Sequence, residues 1–104
     1  MKKTGTNAIE KKIVDLYNKS VGKVDKESIK AQTTIDKILK VFKLISIYDE
    51  NNHKEIVRIL YFSKENILII GVRKIAARLF MDDKTLYKYR KKYCAVISNI
   101  LNSI

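Results

Sequence analysis

The stretch VRKIAARLFMDDKTLYKYRKK, residues 72–92, predicts two helices joined by a short turn. Apolar side chains recur at helical spacing and define one face of each helix: Ile75, Ala76, Leu79, Leu86, Tyr89 and Tyr93. The segment Phe80-Met81-Asp82 interrupts the pattern, and Asp82 is placed to cap the second helix. Two helices that cross over such a turn form a helix-turn-helix, whose second helix enters the major groove of DNA. We therefore expect residues 72–92 to be the DNA-reading part of the protein.

The sequence before this stretch predicts two further long helices. Apolar residues at helical spacing predict one helix from Asn7 to about Ser20 and a longer one, capped by Asp25, to about Tyr48. The whole chain lacks proline, and this absence favours uninterrupted helices over a turn-rich β architecture. The expected fold class is therefore all-α, a helical domain of four to five helices with a C-terminal helix-turn-helix.

A third helix is predicted to start after Asn51 or Asn52, either of which can cap it. Its buried side is expected to carry Ile56, Ile59 and Leu60, and Phe62 is a further candidate. The apolar run Ile67–Ile70 is too short for an independent helix, so it is predicted to be a buried connector or the lead-in to the next helix.

Two regions follow from this order of elements. We expect residues 1–50 to form an N-terminal helical region for packing or oligomerisation, and residues 51–104 to form the DNA-binding region with a C-terminal helix extension. The extension continues the apolar stripe through Tyr93, Val96, Ile97, Ile100, Leu101 and Ile104. A recognition helix needs only about its first three turns for DNA, so this stripe must pack on something else. It either closes over the N-terminal helices or pairs with a second copy in a homodimer.

Positive charge is concentrated in the predicted motif. The chain has a formal net charge of +11, which favours an acidic partner such as nucleic acid. Residues 72–92 hold eight cations and two acids, a net charge of +6, and the rest of the chain holds fourteen cations and nine acids, a net charge of +5. The distribution therefore supports the motif more strongly than the total charge does.

Helical geometry divides the polar residues of the motif into two sets. The outward face of the second helix begins with four residues that are expected to contact base edges: Asp83, Lys84, Tyr87 and Lys88. Six cations are expected to contact phosphates, and these contacts set register and affinity without reading sequence: Arg73, Lys74, Arg78, Arg90, Lys91 and Lys92. Tyr89 and Tyr93 are expected to belong to the core.

The sequence offers little for catalysis, metal binding or membrane insertion. His53 is the only histidine, has no neighbouring ligand cluster and is expected at the surface; Cys94, the only cysteine, is expected to be a buried thiol. No phosphate-binding glycine loop or paired-carboxylate motif is present, so we expect neither an enzyme nor a cofactor. No apolar run approaches the roughly eighteen residues of a membrane span, and a cytoplasmic protein is expected.

The motif resembles a known family. The segment Ile75-Ala76-Ala77-Arg78-Leu79, followed by residues 82–92, is similar to the signature of sigma-factor region-4-like helix-turn-helix domains, in particular phage and prophage transcriptional regulators of the ArpU/RinA type. Upstream, residues 55–62 are similar to the helix that precedes the motif in that group. Two departures stand out: Phe80 occupies a turn position that commonly takes glycine or asparagine, and Ile67–Ile70 is more apolar than the usual loop.

The residues and the resemblance together predict a sequence-specific regulator of transcription that binds double-stranded DNA and comes from a phage or mobile element. Two alternatives remain open from the sequence. The first is a sigma-like adaptor that docks on RNA polymerase. The second is a DNA-binding protein of phage DNA packaging (a small terminase subunit) or of recombination.

Overall fold

The computed structural model describes residues 5–22, 24–49 and 51–103, and these residues contain helices and no strand. The helices in the described residues are α1 (Gly5–Ser20), α2 (Lys26–Asp49), α3 (His53–Tyr61), α4 (Ile67–Ile70), α5 (Val72–Arg78) and α6 (Asp83–Asn102). The predicted all-α class is confirmed. The described part has one helix more than the upper bound of the prediction because the run Ile67–Ile70 forms a helical turn of its own.

Polar side chains cap the first turns of α2 and α3, as the sequence predicts. Asp25 and Ser28 form a reciprocal capping pair at α2: the Ser28 N–H donates to Asp25 Oδ1 at 2.8 Å, and the Asp25 N–H donates to Ser28 Oγ at 2.9 Å. Asn52 Oδ1 accepts the N–H of Glu55 at the start of α3. α1 begins at Gly5, ahead of the predicted start at Asn7. These caps explain why α2 and α3 begin where they do.

One apolar core joins the two halves of the chain. Every helix contributes to it, with these buried residues: Ile13, Val14, Ile35, Ile38, Phe42, Val57, Leu60, Tyr61, Phe62, Ile67, Ile75, Ala76, Leu86, Tyr93, Cys94 and Ile97. α1 packs on α2, α3 and α6, and α2 packs on α3 and α6. The N-terminal helices therefore hold the C-terminal helices in place.

The C-terminal part of α6 packs inside the protein. Tyr93, Cys94 and Ile97 are buried in the shared core, and Ile100 and Leu101 are partly buried against it. Ile104 lies outside the described residues. Of the two options for this stripe, the structure therefore realises closure over the N-terminal helices.

The buried faces of α3 and α4 differ from the predicted ones. On α3, Val57 and Leu60 are fully buried, whereas Ile56 and Ile59 are only partly buried. The buried face of α3 is shifted towards Val57 because α3 packs its apolar residues against both α1 and α2. In α4, Ile67 is buried and Ile70 is partly buried against the core, so the prediction of a buried connector holds for part of the run. The run forms a helical turn directly before α5, which fits the alternative prediction of a lead-in to the next helix.

Candidate nucleic-acid interface

A tight turn joins α5 to α6. The Phe80 N–H donates to the Ala77 carbonyl at 3.2 Å, and the Met81 N–H donates to the Ala76 carbonyl at 3.0 Å. These two bonds are the pair that closes a helix in the Schellman motif. Phe80 has φ of +56°, the left-handed conformation that this closure requires. The chain thus leaves α5 sharply and enters α6 after a short extended segment.

Apolar contacts fix the two helices that flank the turn, and a cap fixes the start of α6. Ile75 and Ala76 of α5 and Leu86 of α6 are buried in the core, so each helix is fixed by its inner face. Asp82 Oδ1 accepts the N–H of Thr85 at 2.7 Å and caps α6. Hydrogen bonds from Thr85 lower the pKa of Asp82 below its usual value, so the cap stays ionised to a more acidic pH than a free aspartate does. The capping role predicted for Asp82 is confirmed.

The four predicted base-contacting residues lie together on the exposed face of the first turns of α6. Asp83, Lys84, Tyr87 and Lys88 are all exposed, and Tyr87 retains 46% of its surface. The Lys91 ammonium lies 5.6 Å from the centre of the Tyr87 ring, one turn further along the same face. This face therefore combines hydrogen-bond donors, one carboxylate and an aromatic ring.

Five of the six predicted phosphate-contacting cations are exposed: Arg73, Lys74, Arg78, Lys91 and Lys92. Arg78 pairs with Glu65 at 2.7 Å, and about half of each side chain remains exposed. An ion pair at this exposure contributes little to stability, so Arg78 can exchange Glu65 for another anion at small cost. These side chains surround the turn with positive charge on both α5 and α6.

Arg90 is the exception, and its predicted phosphate contact is wrong. Its guanidinium donates to both carboxylate oxygens of Glu10, through Nε at 2.9 Å and Nη2 at 2.6 Å. Only 13% of the Arg90 side chain is exposed, and Glu10 is completely buried. The side chain points inward because residue 90 lies one turn beyond Leu86, on the face of α6 that meets α1. Arg90 is thus an anchor for α6.

The carboxylate of Glu10 organises a small buried polar cluster. The Tyr61 hydroxyl donates to Glu10 Oε2 at 2.6 Å and lies 3.9 Å from Cys94 Sγ. Burial, together with the negative charge of Glu10, raises the pKa of Tyr61, and burial raises the pKa of the Cys94 thiol to about 11. The cluster joins α1, α3 and α6. A signal for it exists in the sequence, because Glu10 shares a helical face with Ile13.

A second buried polar contact involves His53, whose predicted surface position is wrong. His53 Nδ1 lies 2.7 Å from the Tyr93 hydroxyl, and its backbone N–H donates to Ser46 Oγ at 2.9 Å. The rings of Tyr89 and Phe42 also contact this pair. His53 is drawn inward because it shares a face of α3 with Val57 and Leu60. As predicted, Tyr93 belongs to the core, and Tyr89 packs at its edge.

The described residues contain no group of three or more histidine, cysteine, aspartate or glutamate side chains that could hold a metal ion. Within the same part of the chain, no helix combines the length and apolar character needed to cross a membrane. Comparison with known proteins returned no match to a family model, to a curated protein or to a solved structure.

Proposed function

We propose that the protein is a sequence-specific regulator of transcription that binds double-stranded DNA, and that α5, the turn and α6 act as a helix-turn-helix. One observation carries the proposal. The first turns of α6 expose a polar face to solvent, while the opposite face of the same helix is fixed in the core. A recognition helix must have both properties, because it has to enter a groove without losing its position on the protein.

The side chains on the exposed face suit the edges of base pairs. The major groove of B-DNA is about 12 Å wide and accepts an α-helix. Lys84 and Lys88 can donate to guanine O6 or N7, Asp83 can accept from the cytosine amino group, and Tyr87 can bond to a base or pack on it. Each such contact discriminates between bases because the major-groove edge differs for every base pair.

The exposed cations around the turn suit the phosphates that flank the groove. Five contacts, from Arg73, Lys74, Arg78, Lys91 and Lys92, give a slope of about −4.5 for the logarithm of affinity against the logarithm of salt concentration. Affinity should then fall about 500-fold between 50 and 200 mM salt. Arg90 does not enter this count, because its charge is taken up by Glu10.

The test begins with selection of bound duplexes from a random pool, followed by titration of a selected site monitored by fluorescence anisotropy. The double variant Lys88→Ala with Tyr87→Ala should lose roughly 1–3 kcal/mol of specific binding per base contact removed. Arg73→Ala should weaken binding to all sequences alike and reduce the salt slope by about 0.9. Lys30→Ala is the matched control, because Lys30 is an exposed lysine on α2.

The proposal fails if no sequence is enriched, or if the variants in α5 and α6 bind as the wild type does. A complex that forms with a protein such as RNA polymerase and persists at several hundred millimolar salt would instead favour an adaptor, because apolar docking is insensitive to salt. The mass of the DNA-bound species, measured by light scattering, then tells a monomer or dimer from the ring-shaped oligomers of DNA packaging.

A further inference from the structure

Phe80 combines an unfavourable backbone conformation with an exposed aromatic ring. Its φ of +56° makes it the only non-glycine residue with positive φ in the part of the chain that the structure describes. The residue is 94% exposed, the highest value among the exposed large apolar residues there. In left-handed backbone a Cβ approaches the following carbonyl oxygen, and this is why glycine usually occupies the position. The ring gains no burial that would offset this strain.

The fold itself does not need a phenyl ring at this point. The neighbouring residues Leu79 and Met81 are partly buried and pack against the core beneath the turn. Glycine would adopt the same backbone without strain, and asparagine would do so more easily than phenylalanine. A strained residue that stays almost fully exposed points to a role in binding.

Phe80 lies close in the chain to the exposed face of α6. Phe80 precedes Asp83 by three residues, so their Cα atoms lie at most about 10 Å apart. Neighbouring bases of one strand are about 3.4 Å apart along the DNA axis. Each side chain adds several ångströms of reach, so the ring can pack on a base a few steps away from the base that Asp83 contacts. The apolar group on the major-groove edges is the thymine 5-methyl, and phenylalanine is among the side chains that pack on it.

We propose that Phe80 is a specificity-determining residue that selects a thymine, by packing its exposed ring on the 5-methyl group at the edge of the site contacted by α6. This inference rests on the proposed DNA-binding function and adds a base contact that helix periodicity does not predict. The strained turn has a physical purpose in this arrangement, since it leaves the ring in solvent three residues before α6 begins.

The experiment removes the methyl group from the DNA and the ring from the protein. In a duplex selected by the wild type, each thymine at the end of the site is replaced in turn by uracil, which pairs identically but lacks the 5-methyl. At one of these positions, replacement of thymine by uracil should weaken binding by the wild type about fourfold, because one methyl group is no longer buried. Phe80→Gly should bind the thymine duplex at least fourfold more weakly than the wild type and should not distinguish thymine from uracil.

Two control variants test whether the response to uracil depends on the Phe80 ring, and not on a change in the fold or on any exposed apolar side chain. Phe80→Ala removes the ring but keeps a Cβ, and it should behave as Phe80→Gly does in the uracil comparison. Ile69→Ala removes an exposed apolar side chain from α4 and should leave the response to uracil unchanged. Circular dichroism of each variant verifies that the helices are retained.

The outcomes distinguish the two proposals. If the wild type binds no duplex, the proposed function fails, and this inference fails with it. If the wild type binds DNA but no uracil replacement has an effect, or if Phe80→Gly retains full affinity and the same response to uracil, only the role of Phe80 fails. In that case a protein partner becomes the better explanation of the exposed ring.

Discussion

Replacement of Arg90 by methionine should destabilise the protein strongly and leave the proposed DNA contacts intact. The substitution leaves the carboxylate of Glu10 buried without its cationic partner, with the Tyr61 hydroxyl still donating to it. Breaking a buried ion pair from one side costs about 3–5 kcal/mol, because the remaining charge is neither solvated nor paired. For a domain of this size we expect the melting temperature to fall by about 12 °C or more.

Replacing the polar side chains of the cluster together with apolar ones should recover most of this lost stability. The triple variant Glu10→Met, Tyr61→Phe, Arg90→Met replaces the carboxylate and the two side chains that donate to it with apolar ones. Replacement of all partners together is often neutral or even stabilising, whereas removal of one is not. Thermal and urea unfolding, followed by circular dichroism, should therefore place the triple variant close to the wild type and well above Arg90→Met.

The same triple variant tests the assignment of Arg90 as an anchor. It removes one positive and one negative charge, so the net charge of the chain stays at +11. If Arg90 serves only to hold α6, the salt slope of DNA binding should not change. Lys91→Met, which removes an exposed cation beside it, should reduce the slope by about 0.9. A loss below about 1 kcal/mol for Arg90→Met, or a reduced slope for the triple variant, would refute the reasoning.

Three further predictions concern the turn and the buried thiol. Phe80→Gly should raise the free energy of unfolding by about 0.5–1 kcal/mol, because the relief of left-handed strain exceeds the entropy that glycine adds to the unfolded chain; a urea titration that shows a loss would contradict this. Asp82→Ala should cost about 1 kcal/mol through loss of the cap on α6, and Asp83→Ala, measured in the same thermal scans, should cost less; equal losses would argue against the cap. The raised pKa of Cys94 keeps its thiol protonated in the folded protein, so this group stabilises the fold fully below about pH 9, and that contribution disappears as the pH rises towards 11. Across this window the Cys94 thiol should lower the free energy of unfolding by up to about 3 kcal/mol, so unfolding titrations of Cys94→Ala should show a smaller loss than those of the wild type. An equal loss in both proteins would refute the assignment.

Much of the fold follows from rules that act over a few residues. Helical periodicity predicts α2 and the inner faces of the two motif helices, including the burial of Leu86. The sequence predicts the capping roles of Asp25 and Asp82, and it narrows the cap of α3 to Asn51 or Asn52, because a cap depends only on the next three residues. The exposure of the four proposed base-contacting residues follows from the same periodicity, since they lie opposite the apolar stripe of α6.

Tertiary packing decided the details that depend on which helices meet. The periodicity of α6 shows that Tyr93 and Ile97 must be buried, but a second copy would satisfy that need as well as α1 does. The position of α3 between α1 and α2 turned His53 inward, although its neighbours in the sequence are polar. Each of these outcomes depends on a partner helix that the local pattern does not specify.

Arg90 shows the difference most clearly. By composition it belongs to the basic run of α6, and this membership predicts a phosphate contact. In the folded chain it pairs with Glu10, eighty residues earlier in the sequence. By itself the sequence determined the long helices and the inner faces of α5 and α6, because hydrogen bonding and side-chain spacing act within one or two turns. Only the tertiary structure decided which charges meet each other and which meet solvent, because that depends on how distant helices pack.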